Sequence, residues 1–294
     1  MLKRILNYIN IILELSKIKI TSFVALSTFA GYVVFSKSIS LNMVLPIFGV
    51  FLLACGSSAL NQYQERDSDA LMNRTKGRPI PSGRISSINA LIISLTMIFT
   101  ALVIIYLSTN LISVLLGALA VIWYNFIYTP LKKKFALAVV PGSVIGALPP
   151  MIGYTSAGGS PFDYQILSLA LFFFIWQIPH FWLLLLILSN DYERANFPTL
   201  TKIFSDSQLS RITFIWIIAL SVSSFLFFIP ESSHNIYSLI TMIFLALWLI
   251  IESSQILRKL SDKSAMRAAF IRINLYVLAV IAIISIDKLL LTEI

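Results

Sequence analysis

Nine apolar runs, each long enough to cross a bilayer, constrain this chain more than any other feature. They lie near residues 19–36, 43–65, 87–107, 110–128, 135–155, 163–188, 211–229, 235–254 and 270–291, and a helix needs about 20 apolar residues to cross the hydrocarbon layer. Backbone in hydrocarbon must satisfy its own hydrogen bonds, so runs of this length predict helices. The expected fold is an all-α integral membrane protein of nine transmembrane helices around a central cavity, a single domain over 1–294. Composition agrees. The chain is 58% hydrophobic with a mean hydropathy of +0.88, above the roughly half-apolar composition of soluble domains.

The basic residues orient the bundle. Placed on this pattern, all of the 22 Lys and Arg residues except Lys37 and Lys288 fall on one side, which the positive-inside rule assigns to the cytoplasm. That requires an odd number of spans and a cytoplasmic N-terminus. The net charge of +9 thus reports orientation, not a nucleic-acid partner. A single cysteine, Cys55, excludes an intrachain disulfide, and with only two histidines, His180 and His234, a Cys/His zinc site is not expected. The basic start of the chain resembles a signal peptide, but Glu14 and Lys17 interrupt its apolar part, and a short attached interfacial helix is expected there. The two most polar connections follow the second and sixth spans, four spans apart, so two similar four-helix halves plus one helix are expected.

The first polar connection, Asn61 to Arg84, reads NQYQERDSDALMNRTKGRPIPSGR. Ionisable groups at the edge of a span are rare unless they face a water-filled cavity or a bound ion. If the helix of the second span continues, Asn61, Glu65 and Asp69 recur every four residues and share one face. Such a set suits a hard cation like Mg²⁺, which takes one or two carboxylates and substrate phosphate oxygens. Arg74, Lys76, Arg78 and Arg84 follow, cations able to neutralise a diphosphate. A charged loop is by default a solvated one; here three acids, Glu65, Asp67 and Asp69, gather within five residues of a chain with only 13.

The sixth span ends WQIPHFWLLLLILSNDYERANFPTL, from Trp176 to Leu200. Eleven residues make about three turns, placing His180 and Asp191 near one stripe with Gln177. Pro179 is expected to loosen the helix locally. A histidine in a bundle is more often a structural residue than a ligand, but His180 sits within a span and its stripe leads to an acid that could face the first motif. His234 is expected to be a bland loop residue.

The pattern N-x-x-x-E-x-x-x-D-x-x-M-x-R-T-x-x-R-P, filled by Asn61, Glu65, Asp69, Met72, Arg74, Thr75, Arg78 and Pro79, resembles the first signature of the UbiA-type intramembrane prenyltransferases, and within them the haem O synthase branch. W-Q-x-P-H-F with D-Y-x-x-A-x-x-P (Trp176, Gln177, Pro179, His180, Phe181, Asp191, Tyr192, Ala195, Pro198), the stretch GALPPMIGY from Gly146 to Tyr154 and YNFIYTPLKKK before it resemble that branch too. The resemblance runs from about Leu15 to about Leu200. Glu65 stands where many members carry Asp, Ile18 where a proline is frequent, and Thr199 where Met is common.

The resemblance implies farnesyl transfer from farnesyl diphosphate to a vinyl group of protohaem IX, with addition of water, in a bacterial inner membrane with the site towards the cytoplasm. It implies Mg²⁺ held by Asn61, Glu65, Asp69 and Asp191, and a diphosphate gripped by Arg74, Lys76, Arg78 and Lys132. Haem contacts fall to His180 and Tyr192, and carbocation-facing rings to Tyr63, Tyr124, Tyr128 and Tyr192. A haem A synthase or a terminal-oxidase assembly factor is the candidate protein partner. The alternatives left open are prenyl transfer to a quinone precursor or another aromatic acceptor, and a non-catalytic haem-binding assembly factor or a transporter.

Overall fold

The computed structural model describes residues 2–229, 235–258 and 262–290; His234 and Lys259 lie outside them. Among the described residues nine helices are long and apolar enough to span a membrane: Ile18–Ser36, Leu41–Gln64, Ser87–Ser108, Leu111–Leu131, Ala136–Ser156, Tyr164–Ile187, Asp206–Phe228, Ile236–Arg258 and Lys263–Leu290. The protein is therefore an integral multi-pass membrane protein, with bounds close to those expected. The seventh and ninth helices begin earlier than hydropathy predicts. Ser205 caps the seventh with a Gln208 capping box, so polar residues open a helix whose apolar part follows.

Consecutive spans pack side by side, and the ninth returns against the first, closing a ring. The first and fifth spans, which open the two expected halves, also pack on each other. Their approach depends on two glycines. A Cβ on Gly31 would overlap the carbonyl oxygen of Pro150, and one on Gly153 the carbonyl oxygen of Thr28. Small residues let membrane helices touch backbone to backbone, so the Gly146–Tyr154 stretch works as a packing seam. The sixth span supplies the core with Phe172, Phe173, Ile178 and Leu183, all buried, against Ile273 and Tyr276 of the ninth. Phe99, Ile215 and Phe244 are exposed, as expected of surfaces that meet lipid.

The N-terminal helix Leu2–Ser16 buries Ile11 and Leu15 against Ala59, Ile80, Ile85 and Ala90, and exposes Ile5, Leu6, Ile9 and Leu13. A helix with one apolar face left uncovered thus stands where a short interfacial helix was expected. Gln62 Nε2 donates to the carbonyls of Glu14 (2.9 Å) and Leu15 (3.1 Å), satisfying acceptors that a helix end leaves open. Arg84 clasps the Glu14 carboxylate with two hydrogen bonds, 3.0 and 2.5 Å. Both side chains are solvated, so the pair contributes about 1 kcal/mol at most.

Candidate active site

The second span ends at Gln64 and a short helix, Arg66–Leu71, follows. Glu65 between them has φ −107 and ψ 5, so the helix bends there. The bend is mild. Glu65 N–H still donates to Asn61 O (3.0 Å) and Asp69 N–H to Glu65 O (2.7 Å), keeping the four-residue register. Asn61, Glu65 and Asp69 accordingly share one face, with relative exposures of 1%, 5% and 1%. Asp67, off that face, is solvated and lies 3.8 Å from Arg66.

Each of the three polar groups meets a cation. Lys17 Nζ donates to Asn61 Oδ1 (3.1 Å), Lys132 Nζ lies 2.7 Å from Glu65 Oε1, and Arg78 donates to Asp69 Oδ2 (2.6 Å). Buried ion pairs gain little over apolar packing, because desolvation offsets their attraction. Their retention here thus points to function. Three cations against two buried carboxylates leave a surplus positive charge, complementary to an anion. Burial opposes the Glu65 charge, but Lys132, then Lys17 and Lys133, outweigh it and hold the carboxyl below its ordinary range. Burial likewise works against the Lys132 ammonium, and Glu65 more than restores it. Burial, followed by repulsion from Arg78 and Lys132, brings Lys17 down to about 7, against the pull of Glu65 and Asp69.

Local backbone explains these placements. Lys17 is left-handed, φ 48 and ψ 52, between the interfacial helix and the first span, and this turn brings its ammonium to Asn61. The fourth span carries a π-helical segment, Ile122–Tyr128, an irregularity frequent at functional sites. It sets Asn125 Nδ2 on Ser57 O (3.0 Å) and Gln64 Oε1 (3.2 Å). Thr129 Oγ1, just beyond, accepts from Asn61 Nδ2 (3.1 Å). Neither Lys17 nor Thr129 was among the expected site residues. Lys17 looks like one more orienting charge before a span, and only the turn reveals otherwise.

The second loop meets the first. The sixth helix ends at Ile187, Leu188 breaks it, and the short helix Ser189–Arg194 carries Asp191. Asp191 Oδ2 accepts the backbone N–H of Arg74 (3.1 Å), so acids from distant parts of the chain flank one loop. The break interrupts the continuous stripe expected from His180 to Asp191; packing, not helical phase alone, brings Asp191 to the first motif. Pro179 stays inside the helix without ending it. Arg74 and Lys76 have exposed side chains at the mouth, as does Glu193. Tyr192 packs edge-on against Phe197, centroids 5.6 Å apart. Tyr124 stacks on Tyr128 at 6.2 Å, whereas Arg66 covers the Tyr63 ring at 4.8 Å. His180 lies deeper, with Nδ1 2.8 Å from Asn274 Oδ1.

Among the described residues no three His, Cys, Asp or Glu side chains stand close enough together to form a ready metal cluster. The donors nonetheless fit a hard divalent ion shared with a phosphate: one amide and acceptor-only carboxylates, each held by a cation that an incoming anion can take over.

The sequence pattern described as the UbiA prenyltransferase family matches residues 22–276, extending through spans where the motifs are faint. A protoheme IX farnesyltransferase of Leptospira interrogans is 32% identical over 276 residues, 92% of this chain and 95% of that protein. One from Geobacter sulfurreducens is 45% identical over 172 residues, 58% of this chain and 63% of that protein. A digeranylgeranylglyceryl phosphate synthase structure superposes with a TM-score of 0.78 at 16% identity, covering 96% of this chain and 98% of that one. A UbiA homolog from Archaeoglobus fulgidus bound to GPP and Mg²⁺ gives 0.65 at 15% identity, covering 94% and 99%. At these identities the two structures establish likeness of fold alone.

Proposed function

The chain belongs to the UbiA prenyltransferase family, and we propose that it transfers a farnesyl group from farnesyl diphosphate to a vinyl group of protohaem IX, releasing diphosphate. The similarity to relatives named protoheme IX farnesyltransferase supports this acceptor. The observation that carries a diphosphate reading is the surplus of cations, Lys17, Arg78 and Lys132, around the buried Glu65 and Asp69, with Asp191 on the adjoining loop.

In this reading Asn61, Glu65, Asp69 and Asp191 would hold Mg²⁺, which when bound neutralises charge on the leaving diphosphate. Arg78, Lys132 and Lys17 grip the diphosphate from within, and Arg74 and Lys76 from the mouth. As the allylic C–O bond breaks, its electron pair leaves with the diphosphate, and the Tyr124 and Tyr128 faces stabilise the farnesyl cation. The haem vinyl group attacks with its π electrons, water adds at the inner vinyl carbon, and a proton departs, giving the hydroxyethylfarnesyl group of haem O. In this reading the site faces the cytoplasm of a bacterial inner membrane, an orientation that the bias of Lys and Arg to one side supports. A haem A synthase or oxidase assembly factor is the fitting recipient of the product.

The experiment is incubation of the protein in lipid nanodiscs with Mg²⁺, labelled farnesyl diphosphate and either haem or 4-hydroxybenzoate, with products resolved by mass. Label in haem alone is expected. Label in the benzoate alone would establish the quinone-type alternative, and none in either a non-catalytic protein.

A pH effect follows from Lys17. Its ammonium, brought down to about 7, is largely charged at pH 6 and largely neutral at pH 8, so the KM for farnesyl diphosphate should rise about tenfold over that interval. Lys17→Arg should flatten this part of the profile, because guanidinium stays charged. An unchanged slope in the variant would remove Lys17 from the diphosphate site.

A further inference from the structure

The sixth and ninth spans share a polar contact deep in the bundle that the diphosphate chemistry does not use. His180 lies seven residues before the end of the sixth helix at Ile187, about 10 Å along its axis. Asn274, on the ninth span, donates through Nδ2 to its own helix at Phe270 O (2.5 Å). Its Oδ1 must therefore face His180 Nδ1, 2.8 Å away; the flipped amide would oppose two acceptors. An amide oxygen only accepts, so Nδ1 carries the hydrogen, and in the neutral imidazole Nε2 is left with the lone pair.

Nε2 has no hydrogen-bond partner among the described residues, and the ring is only half-buried. Trp176 (4.7 Å between centroids), Phe270 (4.8 Å) and Phe181 (5.5 Å) surround it. Beside it the Trp176 Nε1–H is buried without an acceptor. A histidine kept only for packing gains nothing from a fixed tautomer with its free lone pair turned away from every partner. A flat, apolar, metal-centred ligand would use all of this: rings to pack on and one nitrogen to ligate.

We propose that Asn274 is a positioning residue that fixes the His180 tautomer, so that Nε2 ligates the iron of the haem substrate and holds its vinyl edge towards the diphosphate-binding residues. This rests on the haem reading of the site. Asn274 touches no reacting atom; it acts through His180, as the outer partners of metal-bound histidines do.

The test uses the full-length protein in nanodiscs, titrated with haem and with iron-free protoporphyrin IX. The wild type should prefer haem and show an iron–histidine stretch in the ferrous resonance Raman spectrum. His180→Ala should bind both porphyrins equally and lose the stretch, and His180→Gly should regain it with added imidazole. Asn274→Leu should weaken haem binding about tenfold or more without altering protoporphyrin binding. Asn274→Asp, which still accepts from Nδ1–H, should keep haem affinity and shift the stretch upward.

A wild-type haem spectrum in His180→Ala overturns the ligation. Should Asn274→Leu misfold, Asn274→Asp still decides: an unshifted stretch there overturns the positioning role, as does wild-type affinity in a folded Asn274→Leu. These outcomes are separable from the activity assay. Haem O formation with an unchanged His180→Ala spectrum defeats only this inference, whereas prenylation of 4-hydroxybenzoate instead of haem defeats the acceptor assignment itself.

Discussion

Replacing Asp69 with asparagine should lower haem O formation at least about a hundredfold, the scale expected when a group that stabilises developing charge is removed, while leaving the protein folded in the membrane. The substitution keeps the shape and keeps an oxygen for Arg78, which now donates to Asp69 Oδ2. The Asp69 main-chain carbonyl still accepts from Thr75 Oγ1 (2.9 Å), so the loop stays anchored. Only the charge is lost. Removing one partner of a buried ion pair is destabilising, but the Arg78 side chain is 20% exposed, and water offsets part of the loss. Haem extracts resolved by mass, compared at equal amounts of folded protein, separate the two effects. A non-catalytic assembly factor would leave haem O unchanged in this variant.

Gly153→Val should abolish stable folding. Its first added carbon would overlap the Thr28 carbonyl oxygen and crowd Tyr32 N, and these are backbone atoms that no rotamer change moves aside. The first and fifth spans would have to separate, disturbing the Gly31–Pro150 contact as well. Overpacking a core costs about 1–3 kcal/mol, occasionally more, and a backbone clash at a two-helix seam falls at the upper end. Gly77→Ala is the matched control, since a Cβ there meets nothing within 4 Å. Thermal unfolding in detergent should show a much lower midpoint, or no transition, for Gly153→Val and little change for Gly77→Ala. Equal midpoints would mean the seam is not a close contact.

Much of this was legible because lipid simplifies the problem. Apolar length fixed the spans to within a few residues, apart from the polar openings at Asp206 and Lys263, where capping extends a helix beyond its hydrocarbon part. The face shared by Asn61, Glu65 and Asp69 was readable because helical register survives the bend at Glu65. What could not be read depends on tertiary geometry. Lys17 enters through a left-handed turn at a residue with no intrinsic preference for one, and Thr129 through a π-segment that no residue pattern marks. The acids' pairing with Lys132 and Arg78 is likewise a property of the packed bundle. Asn274 stands on a span that carries no motif, two residues after Arg272, so its contact with His180 becomes visible once the ninth helix closes the ring.

The account stands on carboxylates from two distant loops serving one divalent ion together with a diphosphate. Manganese binding, followed by electron paramagnetic resonance in the presence of a non-ionisable farnesyl diphosphate analogue, tests this most directly. One Mn²⁺ should bind per chain only when the analogue is present, and Asp69→Asn and Asp191→Asn should each weaken it at least about tenfold. Tight Mn²⁺ binding that Asp191→Asn leaves untouched would contradict a site built from both loops.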